Sequence, residues 1–306
     1  MKEKTNLTWH GIYPAILTPF DKNGAIDYDM FKKSLEVQLD AGCEGFVIAG
    51  TLGEASTLSN AEKFDLVQYA KKVLPNTPIL VNVAESKTEN AIAFTQKAEE
   101  LGADGIMLLP PLLYKASDRE VVEYFGQIAS ASSLPILIYN NPVDYGIHVT
   151  VEMFEHLEQY PTIQAVKEST RDLTNVTRMI NRFGDRFKIL GGVDTIALET
   201  QLLGGDGSIA GLVNAFPYET VAYFKLAEAG KLKEALEIYR WFMPLLELDI
   251  TPRLVQYIKL AATAEGLSNP YVRSPRLPIE GAELKHVQQV IEEGIKTRPD
   301  LKKYSF

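Results

Sequence analysis

The fold is decided by two short stretches, Ile136-Leu137-Ile138-Tyr139 and Gln164-Ala165-Val166-Lys167. Both are nearly continuous apolar runs that end in a polar residue, which is typical of strands buried on both faces of a parallel sheet. Their last residues, Tyr139 and Lys167, lie 28 residues apart, about one strand-and-helix repeat. The spacing therefore predicts two adjacent parallel strands whose final side chains lie at a similar height.

The same alternation extends through the first two-thirds of the chain. Six further strands are predicted at Tyr13 to Leu17, Gly45 to Ala49, Ile79 to Val83, Gly105 to Leu109, Lys188 to Leu190 and Gly207 to Ala210. Segments of helical period separate them, for example Asp27 to Gly42, Ser59 to Val73 and Thr88 to Leu101. Eight such repeats predict an α/β fold, a (β/α)8 TIM barrel.

A doubly wound open sheet is the alternative fold. No G-x-G-x-x-G motif follows the first strand, and no G-x-x-x-x-G-K-[ST] loop occurs in the sequence, which weakens that alternative. After about residue 215 the strand pattern fades, so we predict a barrel over residues 1–215 and a C-terminal helical appendage packed on it over 216–306. Its predicted helices are Tyr218 to Ala229, Leu232 to Leu248, Pro252 to Glu265 and Glu283 to Lys296, with Pro244, Pro252, Pro275 and Pro278 at the breaks.

Composition and charge bear on the partners and the location of the protein. A net charge of −9 and a pI near 5.1 disfavour nucleic-acid binding, which requires concentrated positive charge. The single cysteine, Cys43, fits a reducing compartment, and we predict a cytoplasmic protein. Met1 to His10 lacks the pattern of a leader, and no apolar segment is long enough to predict a membrane span.

Lys167 is the strongest candidate for chemistry. Active sites of barrel enzymes lie at the carboxyl ends of the strands, and Lys167 ends strand six. Side chains alternate along a strand, so an inward Lys167 implies that Glu168 points away and cannot neutralise it. A desolvated amine loses its proton readily and attacks carbonyls. The competing interpretation is a rim lysine that reaches into water.

Two neighbouring elements strengthen this hypothesis. Tyr139 could relay protons at the end of strand five, although a tyrosine with a core ring and a wet hydroxyl is common. The loop Gly50-Thr51-Leu52-Gly53-Glu54 could bind a carboxylate through its backbone N–H groups, although it could equally be a simple glycine turn. The four histidines are scattered, so we expect no metal and no cofactor.

Taken together, three motifs resemble the dihydrodipicolinate synthase and N-acetylneuraminate lyase family: Gly50 to Glu54, Tyr139-Asn140-Asn141-Pro142 and Val166-Lys167-Glu168-Ser169. The resemblance spans essentially the whole chain. It implies a homotetramer in which Lys167 forms an imine with a 2-oxo acid and Tyr139 moves protons. It also implies that Gly50, Thr51 and Leu52 grip the substrate carboxylate and that Ile209 helps to hold the substrate.

Three departures bear on the substrate. In the family's synthases a second threonine stands at Leu52, and a tyrosine reaching a neighbouring subunit stands at Leu113. An arginine that binds the second substrate's carboxylate stands at Asp144. These differences disfavour lysine biosynthesis, and Leu52 also counts against a sialic-acid lyase.

Four segments are similar to the family branch that acts in bacterial hydroxyproline breakdown: Tyr139 to Pro142, Trp241 to Leu246, Leu254 to Lys259 and Val272 to Pro278. The resemblance implies conversion of 1-pyrroline-4-hydroxy-2-carboxylate, a cyclic imine carboxylate, to 2,5-dioxopentanoate and ammonia. A 2-oxo-acid aldolase is the alternative enzyme, acting on sialic acid, a keto-deoxy sugar acid or the dihydrodipicolinate synthase substrates. A barrel that only binds ligands is the third, least favoured hypothesis.

Overall fold

The computed structural model describes residues 7–305, so the first six residues of the Met1 to His10 segment lie outside the described residues. Its eight strands are β1 Gly11–Pro14, β2 Phe46–Ile48, β3 Ile79–Val83, β4 Gly105–Leu108, β5 Ile136–Asn140, β6 Ile163–Glu168, β7 Lys188–Gly191 and β8 Gly207–Ala210. All pairings between strands are parallel, and β1 pairs with β8. A parallel bridge between Ala15 and Val47 joins β1 to β2. The predicted TIM barrel is confirmed, and the open sheet is excluded.

Helices follow the strands along the chain. Their bounds are α1 Tyr28–Asp40, α2 Asn60–Val73, α3 Thr88–Glu100, α4 Asp118–Ala131, α5 Pro142–Tyr145, α6 Val151–Leu157, α7 Thr174–Phe183, α8 Ala197–Leu202, α9 Pro217–Glu228, α10 Leu232–Leu246, α11 Leu254–Ala264 and α12 Gly281–Lys296. The start of α2 shows that residues close in sequence determine where a helix begins. Ser59 accepts from Glu62 N, and the Glu62 carboxylate accepts from Ser59 N, a complete capping box.

The first strand lies earlier than predicted. It runs Gly11–Pro14 rather than Tyr13 to Leu17, because its ladder with β8 starts at Gly11 opposite Gly207 and ends at Pro14 opposite Ala210. A glycine at the strand start interrupts the apolar run that the prediction relied on. The other strands match their predicted positions within about two residues at each end.

Alternation along the strands creates two apolar layers. Leu137, Tyr139 and Ala165 belong to the cluster inside the barrel, whereas Ile138 and Val166 belong to the layer between strands and helices. This confirms the period of two used in the prediction. Lys167 lies two residues after Ala165, so its side chain also points into the barrel, at the carboxyl end.

One prediction for the C-terminal helices is wrong, the break at Pro244. Pro244 lies inside α10 instead of at a break, in the last turn of that helix. A 3₁₀ turn, Glu247–Ile250, follows α10 and lies close to the turn Asp194–Ile196 after β7. The division at residue 215 stays a prediction; α9 is the helix that follows β8 and packs on β1. Across residues 7–305, no helix combines the length and the apolar character needed to cross a membrane.

Candidate active site

Lys167 and Tyr139 lie side by side at the carboxyl end of the barrel. They are direct partners in the register between β6 and β5, as the repeat spacing predicts. The Lys167 ammonium lies 4.2 Å from the centroid of the Tyr139 ring, within cation–π range. Both side chains are buried, at 6% exposure each. The two residues singled out from sequence therefore share one site.

The surroundings of Lys167 favour a neutral amine. Burial lowers its pKa, and the charges of Asp249, Tyr145 and Asp194 oppose that shift. Within residues 7–305, no carboxylate forms an ion pair with Lys167. The neighbouring strand also makes room for the lysine: a Cβ at Gly192 would lie only 2.6 Å from Lys167 Cγ. The amine is thus packed, desolvated and near acids that do not pair with it.

Glu168 points out of the barrel, as the strand alternation predicts. Its Oε2 accepts from Asn175 Nδ2 at 2.6 Å, and its Oε1 accepts from Thr170 N at 2.8 Å. Asn175 belongs to α7, so these contacts lie on the helical side of β6. Glu168 therefore does not neutralise Lys167.

The predicted carboxylate loop lies at the same end of the barrel. Gly50, Thr51 and Leu52 line the cavity above Lys167, with Leu52 buried and Thr51 exposed at its mouth. Ala49, just before the loop, and Glu54, its last residue, have φ values of 55° and 56°, a conformation that costs free energy for residues other than glycine. Ile209, on β8, lines the same cavity. All six predicted site residues are brought together.

Asp144 does line the cavity. Asn141 Nδ2 donates to Asp144 Oδ2 at 2.7 Å and to the Tyr139 hydroxyl at 3.1 Å, so one amide links the acid to the phenol. Asn141 also caps α5, since its Oδ1 accepts from Asp144 N at 3.1 Å. Burial raises the pKa of Tyr139, so its phenol is protonated at neutral pH.

Sequence reasoning missed four polar residues close to the lysine. Asp194 is buried, its charge bears on Lys167, and it accepts from the N–H groups of Gly211 and Leu212, the latter at 2.7 Å. Asp249 comes from the 3₁₀ turn after α10, and burial, with the Asp194 charge next, raises its pKa to about 8. Arg171 comes from the loop after β6, and Tyr145 ends α5, the short helix after β5. Strand periodicity carries no signal for residues in loops and turns.

Leu113 lies outside the cavity lining, in the segment before α4. Its side chain is 94% exposed and its φ is 76°. This position agrees with a side chain that projects away from its own barrel.

In the described part of the chain, no three histidine, cysteine, aspartate or glutamate side chains lie close enough together to bind a metal ion. Cys43 is buried in the core. The cavity itself is lined by the amine of Lys167, the phenol of Tyr139 and the acids Asp144 and Asp249.

A parallel eight-stranded barrel with a buried amine at its carboxyl end defines the class, a class I Schiff-base lyase. The chain belongs to the dihydrodipicolinate synthetase family, whose sequence model matches residues 8–294. Relatives and solved structures agree with that assignment over almost the full length of the chain.

Two relatives and one structure give the scale of the similarity. A 4-hydroxy-tetrahydrodipicolinate synthase from Methanococcus aeolicus is 35% identical over 272 residues, covering 88% of this chain and 92% of the relative. One from Geobacter sp. is 31% identical, covering 93% and 98%. The structure of the same enzyme from Methylacidiphilum fumariolicum SolV superimposes with a TM-score of 0.91 at 29% identity, covering 96% and 98%. None of these supports the finer resemblance to a pyrroline carboxylate deaminase.

Proposed function

We propose that this lyase acts on a single 2-oxo-acid-like substrate, 1-pyrroline-4-hydroxy-2-carboxylate, with Lys167 as the nucleophile and Tyr139 as the proton-transfer group. Gly50, Thr51, Leu52 and Ile209 hold the substrate next to the amine. Beside Lys167, the cavity lining contains the cation Arg171, which suits a small substrate with one carboxylate.

The observation that carries the proposal is the position of Asp144 in the cavity wall. A carboxylate there repels a second substrate whose own carboxylate would have to bind at the same place. An elimination from one bound molecule needs no site for a second carboxylate.

The chemistry balances with these groups. Lys167 adds to C2 of the cyclic imine and displaces the ring nitrogen, which leaves as a tethered amine. A proton leaves C3, and the 4-hydroxyl leaves as water while the lysine imine accepts electrons. A proton then leaves C5 and one is added at C3, which moves the double bond from C3–C4 to C4–C5; the resulting enamine gains a proton at C4 and loses one from nitrogen to give the C5 imine. Hydrolysis of the C5 imine releases ammonia, and hydrolysis of the lysine imine frees 2,5-dioxopentanoate, so one water is lost and two are consumed.

Dihydrodipicolinate synthase activity is the second candidate, favoured by the relatives, which have that name. Against it, Leu52 is an apolar side chain in the cavity wall, and Leu113 offers no hydroxyl to a neighbouring copy. The predicted homotetramer and the cytoplasmic location are part of the proposal. The exposed apolar side chains of Leu113 and Tyr114 support an assembly, which light scattering measures.

The experiment compares three reactions with the same preparation. Ammonia release is measured with 1-pyrroline-4-hydroxy-2-carboxylate, pyruvate release with sialic and keto-deoxy sugar acids, and condensation with pyruvate plus aspartate semialdehyde. We expect ammonia release to have the largest kcat/KM. Faster condensation would make the second candidate correct. Failure of pyruvate and the pyrroline to give a borohydride-trapped adduct on Lys167 would leave only a binding barrel.

A further inference from the structure

Arg171 is a cation without a partner at the active-site cavity. It follows Lys167 and the end of β6, and its side chain lines the cavity. That side chain is exposed, and among residues 7–305 it forms no hydrogen bond and no ion pair. The acid next to it in sequence is already engaged, because Asp172 Oδ2 accepts from Arg178 Nη1 at 2.9 Å. The Arg171 guanidinium is therefore free to contact a ligand.

The backbone at Arg171 is strained. Its φ is 64°, in the left-handed region that costs free energy for residues other than glycine. The residues on both sides are held in place: Glu168 Oε1 accepts from Thr170 N at 2.8 Å, and Thr170 Oγ1 accepts from Asp172 N at 3.1 Å. Glycine would adopt this turn without strain. An arginine at such a position indicates that its side chain has a use.

The charges of the cavity show what that use is. A 2-oxo acid is an anion, and both the Asp144 carboxylate in the cavity wall and the net charge of −9 on the chain repel it. Lys167 does not offset this repulsion, because burial lowers its pKa and the amine reacts in its neutral form. Among the described residues that line the cavity, Arg171 is the one permanent cation.

Arg171 and the predicted carboxylate loop lie on opposite sides of the cavity. The loop follows β2, and Arg171 follows β6. Three strands separate β2 from β6 in either direction around the barrel: β3, β4 and β5 one way, and β1, β8 and β7 the other. Gly50 and Leu52 of the loop are buried, whereas Arg171 is exposed. An entering carboxylate therefore meets Arg171 at the mouth of the cavity and the loop farther in.

We propose that Arg171 is a specificity residue that admits carboxylate substrates: it attracts the anion to the mouth of the cavity and passes it to the loop after β2. The contact forms before Lys167 reacts and offsets the repulsion by Asp144. The inference deepens the proposed function, since it rests on the proposed imine at Lys167 but not on the pyrroline as the substrate. The competing explanation is an exposed arginine in a turn that takes no part in binding.

The test compares two ketones that differ in charge. Pyruvate is an anion, and methyl pyruvate has the same ketone without the charge. The rate of imine formation at Lys167 is measured for each over a range of concentrations, by trapping with cyanoborohydride and mass spectrometry. Arg171→Gln keeps a polar side chain and loses the charge. We expect the second-order rate constant for pyruvate to fall by roughly tenfold, the effect of one lost charge-assisted contact, and that for the ester to stay the same.

The concentration dependence separates binding from chemistry. Because Arg171 acts before the amine attacks, the rate at saturating pyruvate should be the same in Arg171→Gln and wild type. Added salt screens an exposed charge, so it should slow the reaction of pyruvate with the wild type more than with Arg171→Gln.

Three further variants separate charge from structure. Arg171→Lys restores the charge and should recover most of the rate with pyruvate. Arg171→Gly removes both the side chain and the backbone strain, so it should react like Arg171→Gln yet unfold at no lower temperature than wild type. Arg182→Gln is the matched control: it removes an exposed arginine that pairs with Glu155 outside the cavity lining, and both rate constants should stay unchanged.

Three results would overturn the proposal. The first is a wild-type rate with pyruvate in Arg171→Gln. The second is an equal loss of rate with pyruvate and its ester, which indicates a structural role. The third is an equal loss in Arg182→Gln, which indicates a diffuse effect of net charge. A wild-type protein that forms no adduct with either ketone refutes the proposed function itself, which separates the two failures.

Discussion

Among residues 7–305, two lysines are buried, and only one of these is placed to react. Lys167 is 6% exposed and Lys259 is fully buried. Each ammonium lies over an aromatic ring, Lys167 at 4.2 Å from Tyr139 and Lys259 at 4.3 Å from Phe20. Burial is the largest influence on both and lowers the pKa of each. Burial and an aromatic neighbour therefore do not distinguish a nucleophile from a structural lysine.

The difference lies in the direct partners. Lys259 Nζ lies 2.6 Å from Glu54 Oε1, with both side chains fully buried, and donates to the Tyr271 carbonyl at 2.6 Å. Its pKa is lowered to about 8, so the ammonium keeps its proton at pH 7. No such partner in residues 7–305 reaches Lys167. A buried lysine with a contacting carboxylate stays a cation, and one without it is free to become an amine.

The partners of Lys259 also show what it does. Glu54 ends the active-site loop after β2, whereas Lys259 lies on α11 of the C-terminal region. Arg273 N donates to Glu54 Oε2 at 3.2 Å, and the Arg273 guanidinium pairs with Glu62 at 2.7 Å. This cluster connects the C-terminal helices to the barrel just beneath the substrate loop.

Lys167→Ala should produce the largest effect. The nucleophile is absent, so borohydride should trap no adduct and turnover should fall by roughly 10⁴-fold or more. Mass spectrometry of the protein after treatment with pyruvate and borohydride measures the loss. Thermal unfolding should show that the variant is folded, because removing an unpaired buried amine leaves no charge behind. An adduct that persists, or that maps to Lys259, would reverse the comparison.

Tyr139→Phe gives Lys167 the same kind of aromatic neighbour that Lys259 has in Phe20. The ring remains and the hydroxyl is lost, so the adduct should still form. Turnover should slow by roughly 10²–10⁴-fold, the usual effect of losing an acid–base group. Steady-state kinetics and adduct trapping on one preparation separate the two steps. Unchanged turnover would show that the ring alone is what the site needs.

Lys259→Met should act on stability instead of chemistry. It removes the nearer of the two cations that pair with the buried Glu54 carboxylate and leaves only Arg276, at 3.7 Å, so the unfolding free energy should fall by about 3–5 kcal/mol. Urea denaturation measures the loss. Replacing both partners, as in Lys259→Met with Glu54→Leu, should recover much of it, because no unpaired charge remains. A Lys259→Met protein as stable as wild type would mean that the pair does not hold the C-terminal helices in place.

The comparison also shows what a sequence can predict. Lys167 and Tyr139 can be predicted because both lie at the carboxyl ends of strands, and the strand repeat fixes their register. The pairing of Lys259 with Glu54 was not found, since it joins a loop to a helix about 200 residues later and no local period connects them. Asp249 and Tyr145 were missed for the same reason. The hydrophobic periodicity of a sequence predicts where a residue lies on a strand. Which loops lie close together depends on tertiary packing, for which periodicity gives no signal.

Asp249→Asn should have the smallest effect, and it tests why Lys167 differs from Lys259. Asp249 is the carboxylate whose charge most favours the Lys167 ammonium, although it forms no direct ion pair with it. Its own pKa is about 8, so its charge appears only as the pH rises toward that value. In the wild type this charge delays the loss of the lysine proton.

The amide keeps the shape of Asp249 and never ionises, so the pKa of Lys167 should fall further and the free amine should appear at lower pH. The rate of imine formation with pyruvate, measured from pH 6 to 10, should have its rising limb displaced toward acid. The change in rate between about pH 7 and 9 should be within about tenfold, because the two groups interact without contact. Asp185→Asn, which alters an exposed acid outside the cavity, should leave the profile where it is. A displacement toward higher pH would mean that Asp249 acts as a proton donor to the adduct and not as a distant charge.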